Sequence, residues 1–316
     1  MDEEKLVRFL QRRFSFPGGR GIGDDASVRR IDPSANWGSR IVAKDLLVEG
    51  THFNLNHYSL AQAAEKSVGA NVSDMAAMGG KGEEIYLGLG FPSRTRASDL
   101  EDVFSGIHNA CRRWRLRLGG GDVSRAPGWV FSVTILGHAV RPVFRDGAGD
   151  GDLIGLVGHT GESALGLLLL ERNTPDSFYT RRHIRVDPPV KAAQELGRLA
   201  SAMIDVSDGL LKDLSRILSA SAVGAEIHLE NLPITQRMKS CCRQHGLDAT
   251  HLALTGGEDY ALLFCVPPRR LTLLKATGIR LRIIGRIRRF PQRLTCLQKG
   301  RPQQIPTGGY DHFASS

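Results

Sequence analysis

Ala202-Met-Ile-Asp-Val-Ser-Asp-Gly-Leu-Leu-Lys-Asp-Leu-Ser-Arg-Ile-Leu218 changes periodicity within a few residues. Ala202 to Val206 is a short apolar run interrupted only by Asp205, the pattern of a buried strand. Leu210, Leu211, Leu214, Ile217 and Leu218 then recur at three- and four-residue spacing, which predicts a helix. Ser207-Asp-Gly is the turn between them. A strand handed directly to a helix is the unit of mixed α/β architecture. Asp205 and Asp208 lie three apart at that junction, placed to face one ion beside the free N–H groups of the helix start.

The same alternation extends in both directions. Downstream, strands are expected at Ala225 to Leu229, Tyr260 to Val266 and Leu281 to Ile287, and upstream at Asp152 to Val157, followed by a helix from Glu162 to Leu170. In the first half, Asp2 to Phe14 reads as a helix, Ala26 to Ile31 and Arg40 to Val48 as strands. Ser59 caps a long helix with Leu60, Ala63, Ala64, Val68, Asn71 and Met75 on one stripe. Ile85 to Phe91 is a strand, and Ser98-Asp-Leu-Glu101 reads as a capping box opening a helix that reaches Trp114. Gly119 to Arg125 reads as a loop ahead of a strand from Trp129 to Gly137. At 316 residues the chain exceeds one typical core. Arg141 to Asp152, polar and carrying Gly147, Gly149 and Gly151, is the natural boundary. The expected fold is α/β (α+β), with two mixed α/β domains at residues 1–143 and 144–316.

Seven aspartates stand beside glycine or small residues across this frame. They are Asp24 and Asp25, Asp45, Asp74, Asp122, Asp205 and Asp208. Gathered carboxylates repel and raise one another's pKa unless cations hold them. Hard oxygen ligands that leave room for water and phosphates are how Mg²⁺ is held. Glycines such as Gly120 and Gly121 let backbone amides approach a phosphate. The set therefore points to a Mg²⁺–nucleotide site assembled from several segments, although a single Asp-Gly is more often a turn.

Other chemistries are excluded by what is missing. There is no G-x-x-x-x-G-K-[ST], no H-R-D or D-F-G string, no H-E-x-x-H and no G-x-S-x-G elbow. The turn Gly158 to Gly161 is a weak match to a dinucleotide site. Five cysteines without a C-x-x-C pair argue for reduced thiols over a disulfide frame or zinc site. The net charge of +9 comes from scattered Lys and Arg with no nucleic-acid-binding pattern, and suits anionic phosphate substrates or solubility. The longest apolar run, Ala164 to Leu170, is too short to span a bilayer, and Met-Asp-Glu-Glu-Lys is unlike a signal peptide. A cytoplasmic protein, bound to neither membrane nor nucleic acid, is expected.

In order along the chain stand Gly21-Ile-Gly-Asp-Asp-Ala, Asp45-Leu-Leu-Val-Glu-Gly-Thr-His-Phe, Asn71-Val-Ser-Asp-Met-Ala-Ala-Met-Gly, Gly120-Gly-Asp-Val-Ser-Arg, Ile204-Asp-Val-Ser-Asp-Gly-Leu, Gly256-Gly-Glu-Asp-Tyr and Gly309-Tyr-Asp-His-Phe. This series resembles the bacterial thiamine-monophosphate kinases, of the superfamily that includes aminoimidazole-ribonucleotide synthetase and selenophosphate synthetase. The likeness runs from about residue 20 to residue 313. It implies transfer of the γ-phosphoryl of ATP to thiamine monophosphate with two or more Mg²⁺ ions, in a homodimer joined through the N-terminal sheets. It also implies Asp25, Asp45, Asp74, Asp122, Asp205 and Asp208 as metal ligands, with Asp74, Asp122 and Asp208 the catalytic set. Trp114, Gly121, Asp122, Arg145 and Ser207 match positions that contact ATP, and His52, Glu258 and Tyr310 match positions that contact thiamine phosphate.

Three departures from the family pattern stand out. Ala43 and Lys44 replace hydroxyl residues before Asp45, and a charged Lys44 cannot ligate a metal but can face a phosphate. Ala261 replaces a second acid after Gly-Gly-Glu-Asp-Tyr, and Val123-Ser124 replaces a Thr-Thr pair. Alternatives are an aminoimidazole-ribonucleotide synthetase-like enzyme or, from another class, a basic nucleic-acid-binding protein on the same scaffold. Selenophosphate synthesis is disfavoured because it calls for a reactive Cys near the N-terminus, and the first here is Cys111.

Overall fold

The computed structural model describes residues 3–13, 19–30 and 38–304. Two mixed sheets share one buried helix. The first unit opens with α1 (Glu3–Arg13), β1 (Gly19–Arg20), β2 (Ser27–Arg30) and β3 (Ser39–Val48). It continues through α2 (Leu60–Ala77), β4 (Lys81–Phe91), α3 (Ala97–Trp114), β5 (Arg117–Arg125) and β6 (Val130–Ala139). Its sheet runs β1-β2-β3-β6-β4-β5, antiparallel except where β5 lies parallel to β4. In β6 every second residue is buried, and Phe131, Val133 and Ile135 pack with Val68, Val103 and Ile107 from α2 and α3. The rows between face away from the helices. They hold Lys44, Leu46, Tyr86, Ser132 and Thr134, with Leu46 53% and Tyr86 40% exposed.

The second unit contains β7 (Leu153–Val157), α4 (Glu162–Glu171), α5 (Ser177–Ile184), α6 (Val190–Leu199), β8 (Ala202–Val206) and α7 (Leu210–Ser221). Beyond them come β9 (Gly224–His228), α8 (Gln236–Gln244), α9 (Ala249–Thr255), β10 (Ala261–Val266), α10 (Leu271–Ala276), β11 (Arg282–Arg288), β12 (Leu294–Gln298) and β13 (Arg301–Gln303). The sheet order is β13-β12-β9-β11-β7-β10-β8, antiparallel apart from β12 beside β9. β8 and β10 are buried at every residue, which is why β10 reads as a continuous apolar run and β8 as one broken only by Asp205. All five cysteines are free, four of them buried. No helix among the described residues is long and apolar enough to cross a membrane.

Helix α2 is the element that sets the rest. Ser59 caps it, its hydroxyl accepting from the Gln62 amide while the Gln62 side chain accepts from the Ser59 amide. The single stripe expected from sequence is too narrow a description. Ala63, Ala64, Val68, Val72 and Met75 enter the first core, whereas Ala76 and Ala77 pack with Ala193, Leu196, Met203 and Phe264 of the second unit. A run of Ala, Gly and Ser lets both units close on the same helix, so its last turn lies at their seam. The connection is equally integrated, with Val143 packed in the second unit's core and Phe144 against the first.

Two expectations need correction. Gly119 to Arg125 is not a loop but the edge strand β5, because pairing with β4 satisfies a backbone whose glycines argue against a strand. Asp122, expected in that loop, accordingly lies on β5, whereas Asp45 on β3 and Asp74 in α2 stand within the strand and helix expected there. Helix α3 starts at Ala97 with Arg96 as its cap, not at Ser98. The Asp99 carboxylate accepts from the Arg96 amide (3.0 Å) and guanidinium (2.8 Å), which draws the start back along the chain.

The α2–α3 contact yields a stability prediction. A Cβ on Gly106 would sit 2.1 Å from the Ala61 carbonyl oxygen. On an exposed helix Gly→Ala gains about 1 kcal/mol, but here overpacking against backbone should outweigh it and cost a net ~1–3 kcal/mol. Gly106→Ala is expected to lower the thermal unfolding midpoint by several degrees; a midpoint equal to or above wild type would contradict the tight crossing.

Candidate active site

Carboxylates from two separate elements and one turn converge where the two units meet. Asp25 stands in the turn before β2, Asp74 in the last turn of α2 and Asp205 on β8. Oxygens of these three lie within 4.8 Å of one another. The Ser73 hydroxyl donates to Asp205 Oδ2 at 2.6 Å, tying α2 to β8 directly beside Asp74. Arg145, from the short turn after the linker, supplies positive charge. Its guanidinium pairs with Asp25 and its amide donates to Asp24 Oδ1 at 2.9 Å. The second oxygen of Asp25, Oδ2, is buried without a hydrogen-bond partner among the described residues.

One guanidinium does not neutralise this group. Burial, followed by the charges of Asp45, Asp205 and Asp25, holds the Asp74 carboxyl well above the usual range. Burial, then Asp25, does the same to Asp205 although Ser73 opposes it. Asp45 is pushed up to about 6 by burial and by Asp25 and Asp208. Closely spaced oxygens with a buried orphan and raised proton affinity constitute a site short of positive charge. A hard divalent cation such as Mg²⁺ fits that donor set.

Asp208 is arranged differently from its expected place. Its carboxylate is held by Arg216 (2.6 Å) and Lys212 (3.2 Å), and it is not one of the three clustered acids. The amides expected to be free at the start of α7 are taken. Asp213 Oδ2 accepts from Ser207, Asp208 and Gly209 N–H at 3.1, 3.0 and 3.2 Å, while Arg216 reaches Asp213 Oδ1 at 2.6 Å. Burial lifts the Asp213 carboxyl to about 7 against the opposing pull of Arg216. Sequence reading missed Asp213 and Arg216, although their place inside the predicted helix, at the spacings that let a side chain fold back onto the helix start, was a usable signal.

A cavity of about 1480 Å³ contains Asp25, Asp45, Asp74, Arg145, Asp205, Ser207 and Asp208, and also His52 and Glu258. The His52 ring accepts from the Val48 amide at 3.1 Å. Glu258, in left-handed backbone at φ +60°, pairs with the ammonium of Lys66 at 2.8 Å. Arg8 and Gln11 of α1 line the cavity as well, and neither was anticipated. Lys44 lines it too and reaches the Ser132 hydroxyl.

Trp114, Gly121 and Asp122 are not brought to this cavity. Trp114 packs at the end of α3 under the Arg113 guanidinium, 4.6 Å from the ring, beside Gly69 of α2. Gly121 and Asp122 are exposed on β5. Register places Asp45 opposite Val133, then Leu87, then Gly121, three strand spacings or ~14 Å across the sheet. Asp122 lies in the neighbouring row with Leu46, Ser132 and Gly88, on the opposite face from Asp45. Tyr310 lies outside the described residues.

Comparison with known proteins decides the family. Residues 23–139 match the AIR synthase related protein N-terminal domain, and residues 149–290 the corresponding C-terminal domain. The thiamine-monophosphate kinase of Escherichia coli (strain K12) is 34% identical over 309 residues, 93% of this chain and 92% of the relative. That of Rhodopirellula baltica is 33% identical over 278 residues, covering 84% and 83%. The chain belongs to the thiamine-monophosphate kinase family. A solved structure described as AaThiL complexed with AMPPCP and TMP superposes with a TM-score of 0.87 at 28% identity, covering 99% of this chain and 97% of that one. Thiamine monophosphate kinase from Aquifex aeolicus gives a TM-score of 0.81 at 27% identity over 96% and 99%. Hydrogenase maturation protein HypE, at 18% identity and a TM-score of 0.68, shares the fold.

Like-charge repulsion in this thiamine-monophosphate kinase family site can be read directly. Asp74→Asn removes one anion from the cluster, so without divalent metal at pH 8 the variant should unfold at a higher temperature than wild type. Mg²⁺ should raise the wild-type midpoint more than that of the variant. A variant that melts lower than wild type without metal would show that the cluster is not charge-frustrated.

Proposed function

We propose that this chain transfers the γ-phosphoryl group of ATP directly to the phosphate of thiamine monophosphate, giving thiamine diphosphate and ADP. The observation that carries this reading is a single cavity in which a cation-poor carboxylate cluster and the His52–Glu258 pair both face the interior. At about 1480 Å³ it exceeds the roughly 300–1,000 Å³ typical of a one-ligand site, leaving room for two substrates. The relatives' names, and the neighbouring structure's AMPPCP and TMP, support the same pairing.

The residue roles follow from charge. Asp25, Asp74 and Asp205 would hold Mg²⁺, with Asp45 and Asp208 close enough to share further ions. Bound there, Mg²⁺ supplies positive charge to the β- and γ-phosphates. Arg145 faces the same volume as a fixed cation. His52 and Glu258 would contact thiamine monophosphate, joined by Tyr310, and Ser207 would contact ATP. The attacking oxygen belongs to a phosphate already anionic near neutral pH, so no strong base is needed. Proximity and charge neutralisation carry the step. We place the enzyme in the cytoplasm, where its free thiols stay reduced.

A second copy of the chain would complete the site. Among the described residues β5 is an edge strand open on one side, with all nine residues exposed, next to a sheet face that no described helix covers. Both features suit association between first-unit sheets. That arrangement would bring Trp114, Gly121 and Asp122 to the partner's nucleotide.

Incubation of wild type with ATP, Mg²⁺ and thiamine monophosphate should give thiamine diphosphate by mass, and none from thiamine alone; phosphorylation of free thiamine instead would sink the assignment. Asp74→Asn and Asp122→Asn should each cut kcat by roughly 100-fold or more. If Asp122 acts on the partner's site, mixing and re-annealing the two impaired variants should restore part of the activity, because one site per mixed dimer is then intact. No recovery with confirmed subunit exchange would place Asp122 on its own chain's site or outside catalysis.

A further inference from the structure

One buried cation belongs to no role assigned so far. Lys66, on the second turn of α2, has its side chain wholly out of solvent and does not line the cavity. Its ammonium meets three acceptors, matching its three protons: Glu258 Oε1 at 2.8 Å, the Tyr58 hydroxyl at 2.7 Å and the His183 carbonyl at 3.4 Å. Glu258, by contrast, is 29% exposed and reaches the cavity. Its other oxygen lies 3.4 Å from His183 Nδ1, which also sits 3.2 Å from the Ser163 hydroxyl. The Glu258 amide donates to the Ser207 carbonyl at 2.7 Å, which fixes the residue in its left-handed conformation. Backbone and ammonium together leave the carboxylate one direction, into the cavity.

We propose that Lys66 is the positioning residue of the substrate pocket, acting through Glu258 alone to present that carboxylate as a fixed anion to thiamine monophosphate. The inference rests on the kinase reading above and concerns a residue that touches neither substrate nor metal. The charges agree with the geometry. Burial raises the proton affinity of Glu258, but Lys66, then His183 and His52, overcome it and hold the carboxyl below its usual range. His183 is itself pushed down to about 4, by burial and then by Lys66, so at neutral pH its ring is uncharged. The groups facing Glu258 are therefore Lys66 from α2, His183 from α5, and His52 and Tyr58 from the β3–α2 connection, with Tyr260 two residues along. Lys66 is the cation that meets the carboxylate directly, at 2.8 Å. Thiamine carries a quaternary thiazolium and an aminopyrimidine, and an exposed edge of carboxylate with its charge secured from behind suits such a cation or N–H donor.

A double-substitution cycle tests this. Lys66→Met should raise KM for thiamine monophosphate at least roughly tenfold, the scale of losing a charged hydrogen-bond partner, while KM for ATP stays within about twofold. With the ammonium gone, burial loses its strongest opponent and the Glu258 proton affinity rises. The acid limb of kcat/KM for thiamine monophosphate should then move to higher pH, since the ionised carboxylate is the active form. In a Glu258→Gln background, adding Lys66→Met should cost little more. If Lys66→Met does not fold, Tyr58→Phe removes only one acceptor of the ammonium and should shift the same KM and the same limb by a smaller amount. Equal losses in both backgrounds, or losses in ATP and thiamine monophosphate KM alike, would overturn the positioning role. A wild type that makes no thiamine diphosphate would overturn the kinase reading itself, whereas normal wild-type turnover with an unmoved KM in Lys66→Met would overturn this proposal alone.

Discussion

Helix α2 cannot be removed from either half of the molecule, and that constraint organises everything else. A helix that packs in one core on one side and in a second core on the other fixes the two sheets relative to each other without a rigid linker. Small residues make this possible, because Ala and Gly permit close approach from several directions. What the helix then carries is placed by the packing. Asp74 emerges at the seam, Ser73 bonds across it to Asp205, and Lys66 is sealed behind Glu258.

The seam explains how a fold tolerates so many carboxylates in one place. Buried like charges are costly, and Arg145 offsets only part of that cost. The cluster is thus a local conflict between stability and use, of the kind expected where a site must hold a cation and a polyphosphate. Its acids come from the first unit, the shared helix and the second unit in turn, so binding there would tighten the contact between halves as well as fill the cavity.

Much of this was legible in the residues. Asp205 stood out because it interrupts an apolar strand, and the Ser59 cap and α2 followed from standard signals. The spatial meeting of Asp25, Asp74 and Asp205 was not readable from spacing, since it depends on how two sheets close on α2. Strand β5 was misread because Gly119, Gly120 and Gly121 carry loop chemistry that only tertiary pairing overrides. Asp208 was assigned by its neighbour Asp205, yet Lys212 and Arg216, one and two turns along α7, hold it by ion pairs. Lys66 escaped notice because a lysine on a helix is ordinarily a solvated one, and nothing local marks a buried ammonium.

The starts of α7 and α4 are both plugged from within. Asp213 takes three amides ahead of the first, and Asp259 takes those of Gly161 and Ser163 ahead of the second. Most nucleotide folds leave such amides open as a ready receptor for phosphate oxygens. Here two glycine turns are spent on internal closure, so an uncomplexed polyphosphate would meet a cluster of carboxylates in place of those amides. On the proposed reading the pocket would discriminate by form as well as by shape: its carboxylates would repel the bare nucleotide tetra-anion and admit the ion-complexed one, which would make divalent-ion supply a gate on occupancy and not merely an aid to turnover.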